Sequence, residues 1–545
     1  MSDATDEITT SEGPARRLPA RKALLLVLTG AVVLASAIGT AIAAYSGPSR
    51  PGGPPPSLSA AAQEAGMASG QPFADPRDID ALAGPNLKIT LDAANTVFDL
   101  SGRRVKGQAY NGSFIAPTMH FVPGQQATIT LVNHLPVATN LHFHGMHVSP
   151  SGDSDNPFVC VAPGRTFVYH LDIPADHPIG TFWYHSHATG TACAMSPSAD
   201  MPMGGDVENQ VFAGLSGAIV VGDDRTLLPP ALRDITAHTL VLKDVQIDGS
   251  GQIAQRTGTS FINPNNPTVR LVNGQLRPVL ALRPGETQLW RLINAGADIF
   301  YQLALDGYHF TVINEDGRPV ARVTHPATLV MPPGKRYDVL VTAGNRPGRT
   351  TLRTTTYNSG PAGPRFPDVA LAQVAISGRP VPGSGDVSGA IPSAPPNLAG
   401  APIAQRRTVV LAENNTHTQF FINGRQGTMG GATFTAPAVL GTVEEWTIVN
   451  NSLEDHPFHF HTNAFQVMSV DGRPQPYDGR ADEVVVPHGT PGSPGSPGKV
   501  VLRIAFADYT GRWMFHCHIA GHEDSGMMGY VNVVAPAPTT LPFTL

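Results

Sequence analysis

Cysteine is scarce in this sequence, with three in 545 residues. If one of them has a task of its own, a single disulfide is all the remainder can form. Charge is scarce as well. Charged residues make 14% of the chain against 41% hydrophobic, the balance of a globular protein with large buried cores. Positive charge shows no excess: the net charge is −6 and the sequence pI near 6.4, so nothing recruits nucleic acid or another polyanion. Glycine and proline, by contrast, are plentiful at 56 and 51. Spread along the chain as turn punctuation, they suit many short strands better than long helices. A mass of 57.4 kDa exceeds one ordinary domain and suggests two to four.

The N-terminus reads as an export segment. Arg16, Arg17, Arg21 and Lys22 close a basic region over 1–22, and an uncharged apolar run follows over 23–45. As a helix that run spans roughly 33 Å at about 1.5 Å per residue, enough for a bilayer core of about 30 Å. The basic flank places the N-terminus inside and the bulk of the chain outside the cytoplasmic membrane. Ala41, Ala43 and Ala44 could form a cleavage site, but the length favours an uncleaved anchor over a signal peptide. Both an anchored and a secreted protein therefore stay open, and both are extracytoplasmic. Residues 46–80, rich in Pro, Gly, Ser and Ala, read as a flexible linker.

From Leu87 onward short β-like runs succeed one another, bounded by Gly, Pro, Asn or Asp, at the spacing of sandwiches or barrels. A weak internal repeat divides them. ATITLVNHLPVATNLHFHG, TQLWRLINAGADIFYQLALDG and EEWTIVNNSLEDHPFHFHT share one plan: an apolar strand ending in Asn, a short loop, and a second alternating strand. These copies predict domains over 81–225, 226–376 and 403–545, with a second Pro/Gly/Ser-rich linker over 377–402. Only the first and third copies carry His-x-His, so metal chemistry is expected between the first and last domains.

Histidine is where the sequence concentrates its chemistry. Four pairs stand two residues apart: His142/His144 in LHFHG, His185/His187 in WYHSHA, His459/His461 in HPFHFHT and His516/His518 in FHCHI. In a strand, residues two apart share a face, so each pair offers two imidazoles side by side. Cys517, between His516 and His518, points to the opposite face, where His522, Met527 and a partner such as His456 could join it. Two imidazoles, a thiolate and a weak thioether make a blue-copper site. That site would stand one residue away from a cluster of other metals. His134, His147, His170 and His177 lack the paired spacing and read as structural or surface residues.

The motifs HFHG, HSH, HPFHFH and HCHIAGHEDSGMM together resemble those of three-domain multicopper oxidases of the laccase-like class, over roughly residues 85–540. The resemblance implies an all-β fold of three cupredoxin-like Greek-key sandwiches and four copper ions. It assigns the type 1 copper to His456, Cys517, His522 and axial Met527, and the type 2 copper to His142 and His459. The type 3 pair falls to His144, His185, His187, His461, His516 and His518. The implied activity is one-electron oxidation of phenolic or aromatic donors, coupled through Cys517 to reduction of dioxygen to water. Glu523 and Asp155 match acids implicated in proton supply and in steadying water near the type 2 copper.

One insertion departs from the family's plainest members: residues 188–213, holding Cys193, Met195, Met201 and Met203. Thioethers suit Cu(I), which keeps a metallo-oxidase acting on Cu(I), Fe(II) or Mn(II) in view. With Cys517 reserved for copper, Cys160 and Cys193 are the pair left for a disulfide, worth about 3–4 kcal/mol in the chain-entropy model. A non-catalytic cupredoxin scaffold or copper-binding protein is the remaining rival, and the complete ligand set speaks against it. A three-domain chain can close its own cluster, so a monomer is expected.

Overall fold

Three strands carry the same device at their C-terminal ends. Strands Gln126–Asn133, Thr287–Asn294 and Thr442–Asn450 each finish on a fully buried asparagine. Its Oδ1 accepts the N–H two residues on, that of Leu135, Gly296 or Ser452. Its Nδ2 donates to two main-chain carbonyls: Val137 and Val161, Ile299 and Met331, or Glu454 and Val486. An Asx-type turn thus ends the strand and pins the loop that follows. The internal repeat in the sequence is the repetition of this turn, and with it of a whole domain.

The computed structural model describes residues 64–79, 86–188, 205–248, 251–256, 262–382, 387, 391, 394–428, 431–490 and 496–537. Strands take 49% of the described residues and helices 4%, an all-β protein. In each domain the asparagine-ended strand lies inside one sheet, paired in parallel with the domain's first long strand: Asn86–Leu100, Ala237–Val245 or Ile403–Glu413. A second sheet closes each sandwich, giving sheets of four and four strands, then six and five, then six and five. Alternate residues of Gln126–Asn133 are buried, as a strand with one face on a core requires. Thr287–Asn294 is buried on both faces. Its outer side, with Ile293, packs into a cluster that also holds Trp183 and Ala218 of the first domain.

The histidine pairs lie on four segments of the second sheets of the first and third domains. We label these strands β1 (His142–His144), β2 (Gly180–His185), β3 (His456–Phe460) and β4 (Gly511–Cys517). β1 pairs with β2, putting His142 opposite His185; β3 pairs with β4, putting His459 opposite His516. Only the first pair lies wholly within a strand. His187, His461 and His518 each sit just past the end of one. Their N–H groups bond outside the regular ladder, to Asn140 Oδ1, Met514 O and Pro457 O. The chain turns there to bring the second imidazole inward. Two short helices flank these segments: α1 (Val207–Ala213) and α2 (Ala520–Asp524).

The linkers differ in part from expectation. Residues 64–79 are a strap. Glu64 forms a two-bonded ion pair with Arg277 at 2.7 Å, and Asp75 accepts from Thr239 N–H and meets His238 at 2.8 Å. Ile79 N–H donates to Thr118 O. A flexible segment has no such partners; acidic residues placed opposite Arg277 and His238 fix this one. The end of the second linker is also docked, with Leu398 buried and its N–H bonded to Gln466 Oε1. Among the described residues no helix is long and apolar enough to cross a membrane. The run 23–45 lies outside them.

Candidate metal centres

β4 divides its side chains between two sites. Cys517 faces one way, into a triangle: its Sγ lies 3.6 Å from His456 Nδ1 and 3.7 Å from His522 Nδ1, with 3.3 Å between the two nitrogens. The tautomers follow from the outer partners. His522 Nε2 faces the Glu454 carboxylate at 3.3 Å and must carry its proton there. His456 Nε2 meets Ser452 Oγ at 2.8 Å, while that hydroxyl has acceptors of its own in Asn450 Oδ1 and Glu454 O. Both Nδ1 lone pairs therefore converge on the sulfur. Burial reinforces this, pushing His456 down to about 3 and His522 well below its usual value, so both rings are neutral. Two lone pairs and a sulfur at such separations repel unless a cation lies among them, and N₂S donors fit copper. Met527 is buried beside the triangle, its N–H donating to His522 O and its carbonyl accepting from Cys517 N–H.

The other eight histidines meet on the opposite side of β4. All are at most 4% exposed, although they come from two domains. His187 Nε2 and His461 Nε2 stand 3.3 and 3.0 Å from His516 Nε2, and His518 Nε2 stands 3.1 Å from His144 Nδ1. His142 and His459 stack on His461 and His144, with ring centroids 3.9 Å apart in each case. Outer hydrogen bonds again orient the rings. His142 Nδ1 meets Asp155 Oδ1 at 2.9 Å; the Nδ1 atoms of His185, His459 and His516 donate to the carbonyls of Ser186, Asp482 and Cys517 at 2.8–2.9 Å. The inward Nε2 atoms of His142, His185 and His459 have no hydrogen-bond partner despite complete burial. Orphaned buried nitrogens are costly, and neutral imidazoles with free lone pairs are what metal ions require. Burial first, and neighbouring imidazoles second, hold most of these histidines well below their usual range. The residues fit bound copper.

Every histidine, cysteine and acid expected at the site is found there. Asp155 grips the outer nitrogen of His142 and also accepts from Phe143 N–H. Glu523, wholly buried, lies 3.3 Å from His187 Nε2 and 3.2 Å from His516 Nδ1; burial, and Asp524 after it, push its carboxyl well above the usual range. His147 and His177 brace each other outside the cluster, His147 N–H donating to His177 Nε2. His134 and His170 are exposed, paired with Asp92 and Asp153. Cys193, Met195, Met201 and Met203 lie outside the described residues, and with Cys193 the expected bond to Cys160. Sequence reasoning missed Ser452, Glu454 and Asp482, which orient ligands from loops and carry no spacing signal. Asp482 accepts from His459 through its main chain and lies 3.2 Å from His144 Nε2 through its side chain.

Three cupredoxin-type domains with a sulfur-centred triangle wired to an eight-histidine cluster define a copper oxidase. Three multicopper oxidase family models match residues 93–225, 234–366 and 401–537. The chain belongs to the multicopper oxidase family, copper oxidoreductases that use dioxygen, and the family implies four coppers of types 1, 2 and 3. It is 25% identical over 486 residues to the multicopper oxidase MmcO of Mycobacterium tuberculosis, covering 82% of this chain and 86% of that one. Against a laccase of Bacillus subtilis the identity is 26% over 507 residues, with 80% and 92% covered. Among solved structures, a multicopper oxidase from Campylobacter jejuni described as a metallo-oxidase superposes with a TM-score of 0.71 at 23% identity, over 86% of this chain and 96% of that one.

Proposed function

We propose that this protein is a laccase-like oxidase of phenolic or aromatic donors, with its sites divided as the family resemblance implies. His456, Cys517, His522 and Met527 would hold the type 1 copper, and His142 and His459 the type 2. His144, His185, His187, His461, His516 and His518 would hold the type 3 pair. Copper bound there supplies one-electron oxidation of the donor and four-electron reduction of dioxygen to water. The chain's own residues supply the path and the protons. One observation carries the reading: the Cys517 carbonyl accepts from His516 Nδ1 at 2.9 Å while its sulfur sits in the triangle, so one residue joins both centres. Glu523, touching His187 and His516, stands where a proton is needed beside the cluster. Asp155 acts through His142, fixing its tautomer.

The donor's port is His522. His456 is fully buried, whereas the His522 side chain keeps 12% of its surface, with Phe420 stacked on its ring at 3.9 Å. The likeness to a laccase of Bacillus subtilis supports aromatic donors. The Glu454 carboxylate at 3.3 Å from His522 Nε2 favours a second reading, oxidation of a metal cation such as Cu(I), Fe(II) or Mn(II). The basic N-region and the apolar run over 23–45 support an extracytoplasmic protein, anchored or secreted, and a monomer would suffice. Oxygen uptake by the copper-loaded protein, with a phenol and Cu(I) run side by side, decides the donor. Uptake with the phenol that disappears in Cys517→Ser is the expected result; uptake with Cu(I) alone moves the donor class to metal ions.

A further inference from the structure

Among the described residues the middle domain contributes no candidate metal ligand, yet its segment 332–336 forms a wall of the eight-histidine cluster. Gly334 has φ +97, and a Cβ there would lie 3.1 Å from both His144 Cε1 and His518 Cδ2. Two residues on, Arg336 is fully buried and donates to Asp482 twice, Nη1 to Oδ1 at 2.8 Å and Nη2 to Oδ2 at 2.6 Å. Asp482 in turn touches two candidate ligands, His144 Nε2 through Oδ1 at 3.2 Å and His459 Nδ1 through its main-chain carbonyl at 2.9 Å. Asp316 of the middle domain fixes the same stretch from behind, accepting the N–H groups of Asp482 and Glu483 at 3.2 Å each. Arg318 adds a bond to Asp482 Oδ2 at 3.3 Å and one to Gly145 O at 3.1 Å. Gly145, the glycine of HFHG, has φ +82, and a Cβ there would overlap Arg336 Nη2 and Asp482 Oδ2. The ligand motif has been kept small where the ion pair lies against it.

We propose that Arg336 is a positioning residue for the type 2 copper, acting through Asp482 on His459. The proposal rests on the assignment of the type 2 copper to His142 and His459. A planar guanidinium bound at both oxygens fixes the carboxylate in one orientation, which a point charge does not. With Arg336 gone, Asp482 is a buried charge short of its main partner. It then turns toward the imidazoles, and the Asp482 carbonyl that sets the His459 tautomer moves with it. A middle domain without ligands thereby holds the junction of the two domains that have them.

The test is the metal content and spectrum of the full chain loaded with copper: wild type, Arg336→Gln, Arg336→Lys and Asp482→Asn. In Arg336→Gln and Asp482→Asn we expect the blue absorption of the Cys517 site unchanged per protein, with loss of one copper of the family's four and of the type 2 electron paramagnetic resonance signal. Arg336→Lys should regain the copper with a shifted type 2 signal, since charge returns without the two-point geometry. Wild-type copper content and type 2 spectra in both Arg336→Gln and Asp482→Asn would overturn the proposal. So would loss of the blue absorption together with the type 2 signal in all three variants, since Arg336 would then brace the whole fold. A wild type without any type 2 signal would instead count against the copper assignment on which the proposal rests.

Discussion

Asn294 isolates the turn device from the chemistry, because none of the candidate ligands among the described residues lies in its domain. Asn294→Ala leaves the Ile299 and Met331 carbonyls and the Gly296 N–H without their partners. Buried groups left unsatisfied cost about 1–3 kcal/mol each before relaxation. We expect the variant to lose about 2–4 kcal/mol, read by denaturant unfolding, with copper content unchanged. Lys243 gives a pH dependence. Buried against Phe114 and bonded to Val211 O and Ser216 Oγ, it is pushed down by burial to about 7, with Asp244 opposing the shift. Between about pH 7 and its usual value of about 10.4, the unfolded chain binds a proton that the folded one has released. Stability therefore rises with pH across that window, by at most about 1.4 kcal/mol per unit from this group. Below it the contribution is flat. Lys243→Met should remove that increment from the stability-against-pH curve; identical slopes for variant and wild type would place the charge elsewhere.

At the scale of elements, α1 is seven residues long and depends on a tertiary cap. Its nominal cap residue, Asp206, makes no side-chain cap bond; Asp524, at the end of α2, accepts the N–H groups of Val207 and Glu208 at 3.1 and 3.0 Å. Arg256 closes the arrangement at 3.3 Å from Asp524. A helix this short does not persist on propensity alone. Asp524→Ala should cost about 1–2 kcal/mol and show first as faster amide exchange across 207–213, well before global unfolding. Unchanged exchange there would mean that packing of Val207, Val211 and Phe212 suffices. The strands were easier to read. HFHG lies in a strand as alternation requires, whereas HSH, HFH and HCH run past strand ends. Period-two reasoning still placed their imidazoles on one side of β4 and Cys517 on the other, because one extended residue on each side keeps the alternation.

On the scale of the whole molecule, the strap over 64–79 joins the middle domain to the first, through Arg277, His238 and Thr118. A chain beginning at residue 80 should show a first calorimetric transition several degrees below that of one beginning at residue 62. Equal transitions would show that the strap binds without stabilising. Sequence composition gave no warning of this docking: Pro, Gly, Ser and Ala look alike in a tether and in an extended strap. The partners that decide between them, at 277 and 238, lie 213 and 163 residues away.

The sequence by itself determined the chemistry of this protein. Four His-x-His pairs, one cysteine between two of them, and three asparagine-ended strands state which side chains gather at the candidate metal centres, how many domains repeat, and which two of them share the cluster. Local periodicity suffices for that, since a two-residue spacing sets a side chain's face within its own strand. Only the tertiary structure decided what holds those ligands in place. Asp482, Arg336 and Glu454 stand far in sequence from some or all of the groups they orient, and Ser452, though four residues from His456, obeys no spacing either. A buried hydrogen bond depends on where two separate segments meet, and nothing in a local pattern encodes that meeting.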